Sequence, residues 1–192
     1  MNVVYISKIM NMKNKSFKED TSINAILYIL QKVGGSCDMH KLSKIFYFAD
    51  QKHLSDYART ITGDVYVAMQ YGPVPSKIND IMKAVRGDSY FQYPTDKFEF
   101  SDRYTIRSKQ DADLDYLSGS DLECLDYAID LCKNKSFSEL TEFSHRLAWN
   151  KGRDNKDNSI SFADMLLEMN DEEEYIAYVV SKLEMTEKLQ ML

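Results

Sequence analysis

The sequence predicts an α+β fold, predominantly α-helical, in which a compact helical domain carries a small β element. Three observations lead there. Apolar residues recur with helical period along most of the chain. Alternating, strand-like residues occupy only two short stretches. A chain of 192 residues with 44% hydrophobic residues, 7 glycines and 3 prolines has the composition of a folded globule, and at this length it can bury a core without disulfide or metal staples.

Residues 1–20 read as an N-terminal leader, locally basic through Lys8, Lys13, Lys15 and Lys18. Its apolar run, Val3 to Ile6, is too short for a secretory h-region or a membrane span. Residues 21–192 read as a single domain ending in C-terminal helices, because no repeat or Ser/Pro-rich linker divides them. Helical stripes appear at Ile23, Ile26, Leu27 and Leu30; at Leu42, Ile45, Phe46 and Ala49; at Ile78, Ile81, Met82 and Val85; at Leu122, Leu125 and Ile129; and at Ile176, Val179, Val180 and Leu183. Ser120 with Glu123, and Ser136 with Glu139, fit the capping-box spacing. Gly34-Gly35 and Gly87 fit helix stops. The acidic run Asp171 to Glu174 suits the positive end of the last helix. One strand is expected over Val65 to Tyr71 and a hairpin over Phe98 to Ile106. Between them, Gly72-Pro73-Val74-Pro75 reads as a rigid corner leading into a helix capped near Ser76.

The chemistry-bearing residues are few. A net charge of −6 argues against duplex DNA binding by this chain, since phosphate neutralisation supplies most of such affinity. Cys37, Cys124 and Cys132 are odd in number, sit in apolar helical patterns and read as free, buried thiols. Cys37 and His40 lack a second pair to complete a zinc site, so no metal is expected, and no cofactor fingerprint, Walker loop or nucleophile elbow is present. His145 near Trp149 suits a core or corner role. The strongest polar cluster is Tyr47, Asp50 and His53, spaced three apart on one helix face, with Asp64 after a glycine turn close enough to join them. Two readings stay open at this point: a buried hydrogen-bond network, or acid–base chemistry.

The block Tyr47-Phe48-Ala49-Asp50, then Ile61-Thr62-Gly63-Asp64, then Tyr71-Gly72-Pro73-Val74-Pro75 resembles the Panacea domain of the SocA-like antitoxin family, from bacterial and phage toxin–antitoxin pairs. The similarity runs from Leu42 to Val85 and continues more weakly through Ser138-Glu139-Leu140, His145 and Trp149. This chain has Tyr57-Ala58-Arg59-Thr60 where the family usually has a Tyr-Gly-Arg-Pro-like turn. The resemblance implies a cytoplasmic, non-enzymatic antitoxin that neutralises a cognate toxin by direct binding, and, as in SocA, a proteolytic adaptor serving a ClpXP-type protease; no membrane association is implied. Lys41, Tyr47, Asp50, His53, Gly63 and Asp64 would be its structural signature network. Toxin contact is expected around Tyr66, Gln70, Tyr71, Gly72, Pro73 and Val74, extended by the exposed side of the Lys41 to His53 helix. The alternative class is a small hydrolase or nucleotide-handling enzyme centred on Asp50, His53 and Asp64.

Overall fold

The computed structural model describes residues 17–88, 93, 96–169 and 172–189. Most of the leader, and Asp171 of the acidic run, lie outside the described residues. The chain folds into eight α-helices and two three-stranded antiparallel sheets among the described residues, which is the predominantly helical α+β class expected. In order these are α1 (Glu19–Lys32), β1 (Ser36–Asp38), α2 (Met39–Tyr57), β2 (Tyr66–Met69), β3 (Gly72–Pro75), α3 (Ser76–Arg86), β4 (Phe98–Phe100), β5 (Thr105–Ser108), a short 3-10 turn (Leu114–Tyr116), α4 (Gly119–Cys132), α5 (Phe137–Ser144), α6 (Leu147–Asp154), β6 (Ser159–Ile160), α7 (Phe162–Leu167) and α8 (Glu173–Leu189).

Two helices are buried nearly all round. In α1 every residue from Ser22 to Leu30 is buried, and in α2 so is every residue from Leu42 to Gln51, together with His53 and Leu54. The remaining helices pack around them with one face each, α4 most extensively on α2. The expected stripes supply the core, from Ile23 through Ile81 and Leu125 to Val180.

Helix ends follow the local chemistry. Asp38 caps α2 by accepting the amides of His40 and Lys41, which places Cys37 in strand β1 and not in the helical pattern expected for it. Ser136 and Glu139 form the expected capping box on α5. On α4 the box is instead Ser118 with Asp121. Both pairs fit the spacing, but Ser118 has the extended cap backbone, while Ser120 lies inside the helix, where its hydroxyl meets His53. Gly34, Gly35 and Gly87 take positive φ after their helices, as stops require. At the end of α2 Ala58 takes φ 54°, a left-handed position glycine would occupy without strain. In this turn the departure from the family pattern changes the side chain, while the left-handed backbone is present.

The sheets have orders β1-β5-β4 and β3-β2-β6. The β4–β5 hairpin is the one expected from Phe98 to Ile106. The expected strand from Val65 to Tyr71 ends at Met69, and the Gly-Pro-Val-Pro corner is itself a strand, pairing Met69 with Gly72 and Tyr66 with Pro75. Gly72, at φ 106°, lets the chain turn back within two residues. Ala68 donates to Asn158 on the β6 side, so by alternation Val67 and Val74 face each other, and Pro73 and Pro75 fall where an edge strand would point amides outward. Proline has no such amide, so these two positions offer no donor for strand addition.

Helix α6 lies directly on this sheet. A Cβ at Gly152 would come within 2.8 Å of Ile160 Cγ1 and 3.1 Å of Ala68 Cβ. Gly152→Ala is therefore expected to destabilise the protein by about 1–3 kcal/mol through overpacking, despite alanine's better helix propensity. Urea denaturation of the two proteins measures the difference.

Candidate functional site

The polar residues singled out in the sequence sit on or beside α2, and each has its own partner. Asp50 is fully buried; its carboxylate accepts the Ile61 amide at 2.7 Å, the Thr62 hydroxyl at 3.0 Å and the Tyr66 hydroxyl at 2.8 Å. Burial raises the Asp50 pKa, against those three donors and the nearby His53, which pull it down. Asp64 turns away from this group. Its carboxylate accepts the amides of Val65, Lys77 and Ile78 at 2.7, 3.0 and 2.9 Å, so it caps the start of α3 from 13 and 14 positions upstream of the amides it bonds there. That role replaces the cap expected near Ser76: Pro75 occupies the N-cap and has no side-chain acceptor. Burial pushes Asp64 up to about 6, again opposed by its amide donors. Gly63, at φ 68°, forms the turn between the two carboxylates, and its amide donates to Thr60 Oγ1.

His53 and Tyr47 bond elsewhere. His53 Nδ1 lies 2.9 Å from the Arg59 carbonyl and Nε2 lies 3.1 Å from both Ser120 Oγ and Asp121 Oδ1. Asp121 is held well below the usual carboxylate range: burial would raise it, but His53, Ser118 and Arg59 outweigh that. Tyr47 donates to Glu168 Oε2, which also receives Gln51, while Glu168 Oε1 accepts the Ala148 amide at the start of α6. Burial and the Glu168 carboxylate hold the Tyr47 phenol well above its ordinary pKa. The structure thus brings Asp50, Thr62 and Tyr66 together but does not join the side chains of Tyr47, His53 and Asp64 to them as one hydrogen-bonded centre; Asp64 meets the group through its backbone amide, which donates to Thr62 Oγ1. Their acceptor atoms are occupied by donors that a reacting group would have to displace.

Lys41 lies apart. Its ammonium donates to the Lys133 carbonyl at the end of α4 and borders a cleft of about 360 Å³ that Lys32, Cys37, Asp38 and Lys133 also line. Lys32 pairs with Asp126 and Lys133 with Asp130, so these lysines serve helix ends. Burial pushes the thiols of Cys37, Cys124 and Cys132 up to about 12, so they remain protonated. Among the described residues no group of three His, Cys, Asp or Glu side chains could hold a metal.

The β2–β3 turn is different in kind. Four side chains from two helices donate to its carbonyls: Arg153 to Ala68 at 3.1 Å, Trp149 to Met69 at 2.9 Å, His40 Nε2 to Tyr71 at 3.1 Å and Lys44 to Pro73 at 2.9 Å. Because a carbonyl only accepts, His40 carries its proton on Nε2. His40 stacks on Phe137 at 4.0 Å, Phe137 meets Tyr71 edge-on at 5.2 Å, and His145 stacks on Trp149 at 3.6 Å. Over this framework Met69, Tyr71 and Phe137 stand about half exposed, at 49, 51 and 51%, with Gln70 also exposed. Of the surface residues expected from the sequence, Gln70 and Tyr71 are exposed and Val74 is half-buried, but Tyr66, Gly72 and Pro73 are buried. Tyr66 is buried because its strand turns that face inward, onto Asp50. Gly72 is buried because Ser144 Oγ and Lys44 Nζ lie where its Cβ would be, at 2.4 and 2.7 Å. Lys44, Phe137, Met69 and Glu168 carried no sequence signal of a role here. Lysine in a helical pattern reads as solvated, and the others lie far along the chain from their partners.

Removing a carboxylate that serves several donors should be costly. Asp50→Ala is expected to lower stability by at least about 3 kcal/mol, and Asp64→Ala by about 2 kcal/mol. Hydrogen exchange separates the two effects: only Asp64→Ala should strip protection from the Lys77 and Ile78 amides.

With this geometry in view, comparison with known proteins gives one match: the family described as antitoxin SocA-like, Panacea domain, matches residues 42–150. No curated protein and no solved structure matches the chain. The matched span starts on α2, takes in Asp50, Asp64 and the β2–β3 turn, and ends on α6 just past Trp149. Covering more than half of the 192 residues, it establishes that this protein belongs to the SocA-like antitoxin family and carries the Panacea domain.

Proposed function

We propose that this protein neutralises a cognate toxin by direct protein–protein contact, made by the β2–β3 turn and the aromatic residues around it. Membership of an antitoxin family implies the toxin partner. The observation that carries the choice of surface is the bonding of four turn carbonyls by Arg153, Trp149, His40 and Lys44. A turn held that way presents Met69, Gln70 and Tyr71 in one conformation, so little ordering entropy is lost when a partner docks. Tyr71 and Phe137 supply rigid aromatic area of the sort that dominates interface energetics.

The reading is non-enzymatic, because Asp50 and Asp64 spend their acceptors on backbone amides and core hydroxyls. In this reading the protein is cytoplasmic. Among the described residues no helix is long and apolar enough to cross a membrane. A proteolytic-adaptor mode, in which the bound toxin is delivered to a ClpXP-type protease, uses the same contact and differs only in the fate of the toxin.

Co-expression with the cognate toxin and titration of the purified pair test this. Tyr71→Ala and Phe137→Ala, each folded by circular dichroism, are expected to weaken toxin binding by at least about 2 kcal/mol and to lose growth rescue. Variants that bind as tightly as the parent would place the interface elsewhere. Toxin half-life in cells with and without the protease separates simple sequestration from delivery.

A further inference from the structure

Lys44 is an unusual feature of this surface. Its side chain is completely buried on α2, its ammonium nitrogen has one acceptor, the Pro73 carbonyl, and no carboxylate faces it among the described residues. The titratable groups around it are His40 on its own helix, Cys132 on α4 and His145 just before α6, and none of them supplies a negative charge: the thiol stays protonated, and burial together with Lys44 itself lowers both imidazoles. The Nε2 of His145 is buried without a hydrogen-bond partner among the described residues, so it too gains nothing from a proton here. Above the amine lies Gly72, so close that a Cβ there would meet Nζ at 2.7 Å and Cε at 2.9 Å. Ser144 Oγ lies close to the same point.

We propose that Lys44 is a proton-operated latch beneath the β2–β3 turn: as a neutral amine it holds the turn down on α2, and on protonation it releases the turn and weakens the grip on the toxin. The inference rests on the turn being the toxin-binding surface. A buried ammonium without a counter-charge is driven toward water. Gly72 of β3 lies against the amine, so lifting β3 is the step that lets water reach the charge. Burial lowers the Lys44 pKa to about 7, which puts the transition near neutrality.

The sign of the linkage follows. The unfolded chain holds this proton up to about 10.5, the folded chain only up to about 7, so stability should rise with pH across that window, by up to about tenfold in the folding constant per pH unit, and level off below it. The test is an amide NMR titration of the full chain from pH 5.5 to 9.5, with toxin affinity at pH 6 and 8. The Tyr71, Gly72 and Val74 amides should titrate together with a midpoint near 7 in the wild type. They should not do so in Lys44→Met or, should that variant fold poorly, in Lys44→Gln. Toxin affinity should fall about 3- to 10-fold from pH 8 to pH 6 in the wild type and stay flat in the Lys44 variant. The latch is overturned if the turn amides do not titrate in this range, or if they still do so without Lys44. Should they titrate through Lys44 while no toxin binds at either pH, the latch stands and the antitoxin reading of this surface falls.

Discussion

The burial of α2 on every side is the constraint on which the rest of the structure depends. A helix enclosed in this way can carry polar side chains only where each finds a partner, because a stranded buried donor or acceptor costs about 1–3 kcal/mol. Ser43 bonds back to the Met39 carbonyl, Lys44 to Pro73, Tyr47 and Gln51 to Glu168, Asp50 to Ile61, Thr62 and Tyr66, and His53 to Arg59, Ser120 and Asp121. These contacts radiate toward the neighbouring elements and fix where each one lies around the helix. An all-apolar α2 would bury as readily, but it would leave the rotation and register of its neighbours less tightly specified.

Carboxylates also serve at a distance as helix caps. Asp64 reaches the amides of Lys77 and Ile78, and Glu168 reaches the amide of Ala148. In both cases the capped helix starts with a residue that lacks a capping side chain, Pro75 for α3 and Arg146 for α6. The orphan amides of those helices therefore tie distant loops into place, so that the cap becomes a tertiary contact. Asp64 sits at the base of the β2–β3 hairpin and Glu168 beneath the helix that carries Trp149, so both caps help to hold the turn.

Much of this was legible in the sequence, for reasons that explain the remainder. The stripes of α1 to α4, the β4–β5 hairpin and the Ser136–Glu139 box depend on residues within a few positions of one another, and local spacing is what a sequence displays directly. The Ser118–Asp121 box was missed because two overlapping pairs satisfy one rule, and only the backbone angle at the cap decides between them. Strands β1 and β6 are three and two residues long and pair with distant partners, which leaves too little alternation to detect. Alternation did show a strand over Val65 to Tyr71, but neither that it ends at Met69 nor which face turned inward. That was decided by Asp50, sixteen positions away and on another element. Lys44 was invisible for the opposite reason: charge predicts exposure so generally that a lysine enclosed between a glycine and a serine leaves no mark in the pattern.

The residues that distinguish the signature block are thus divided between two jobs. Asp50, Thr62, Asp64 and Tyr66 are saturated by one another and by backbone, and a saturated group has nothing left with which to recognise a partner. What they do is hold the base of the hairpin. Its tip is held by a separate set, Arg153, Trp149, His40 and Lys44, all of them donors, which bond four carbonyls of the turn and leave Met69, Gln70 and Tyr71 exposed. A turn whose carbonyls are bonded from below while its side chains stand exposed suits a rigid recognition element, since docking then replaces water on Met69, Gln70 and Tyr71 without breaking those bonds. One of those four donors, Lys44, is buried and, among the described residues, faces no carboxylate, and that makes it the donor whose hold on the tip can change with protonation.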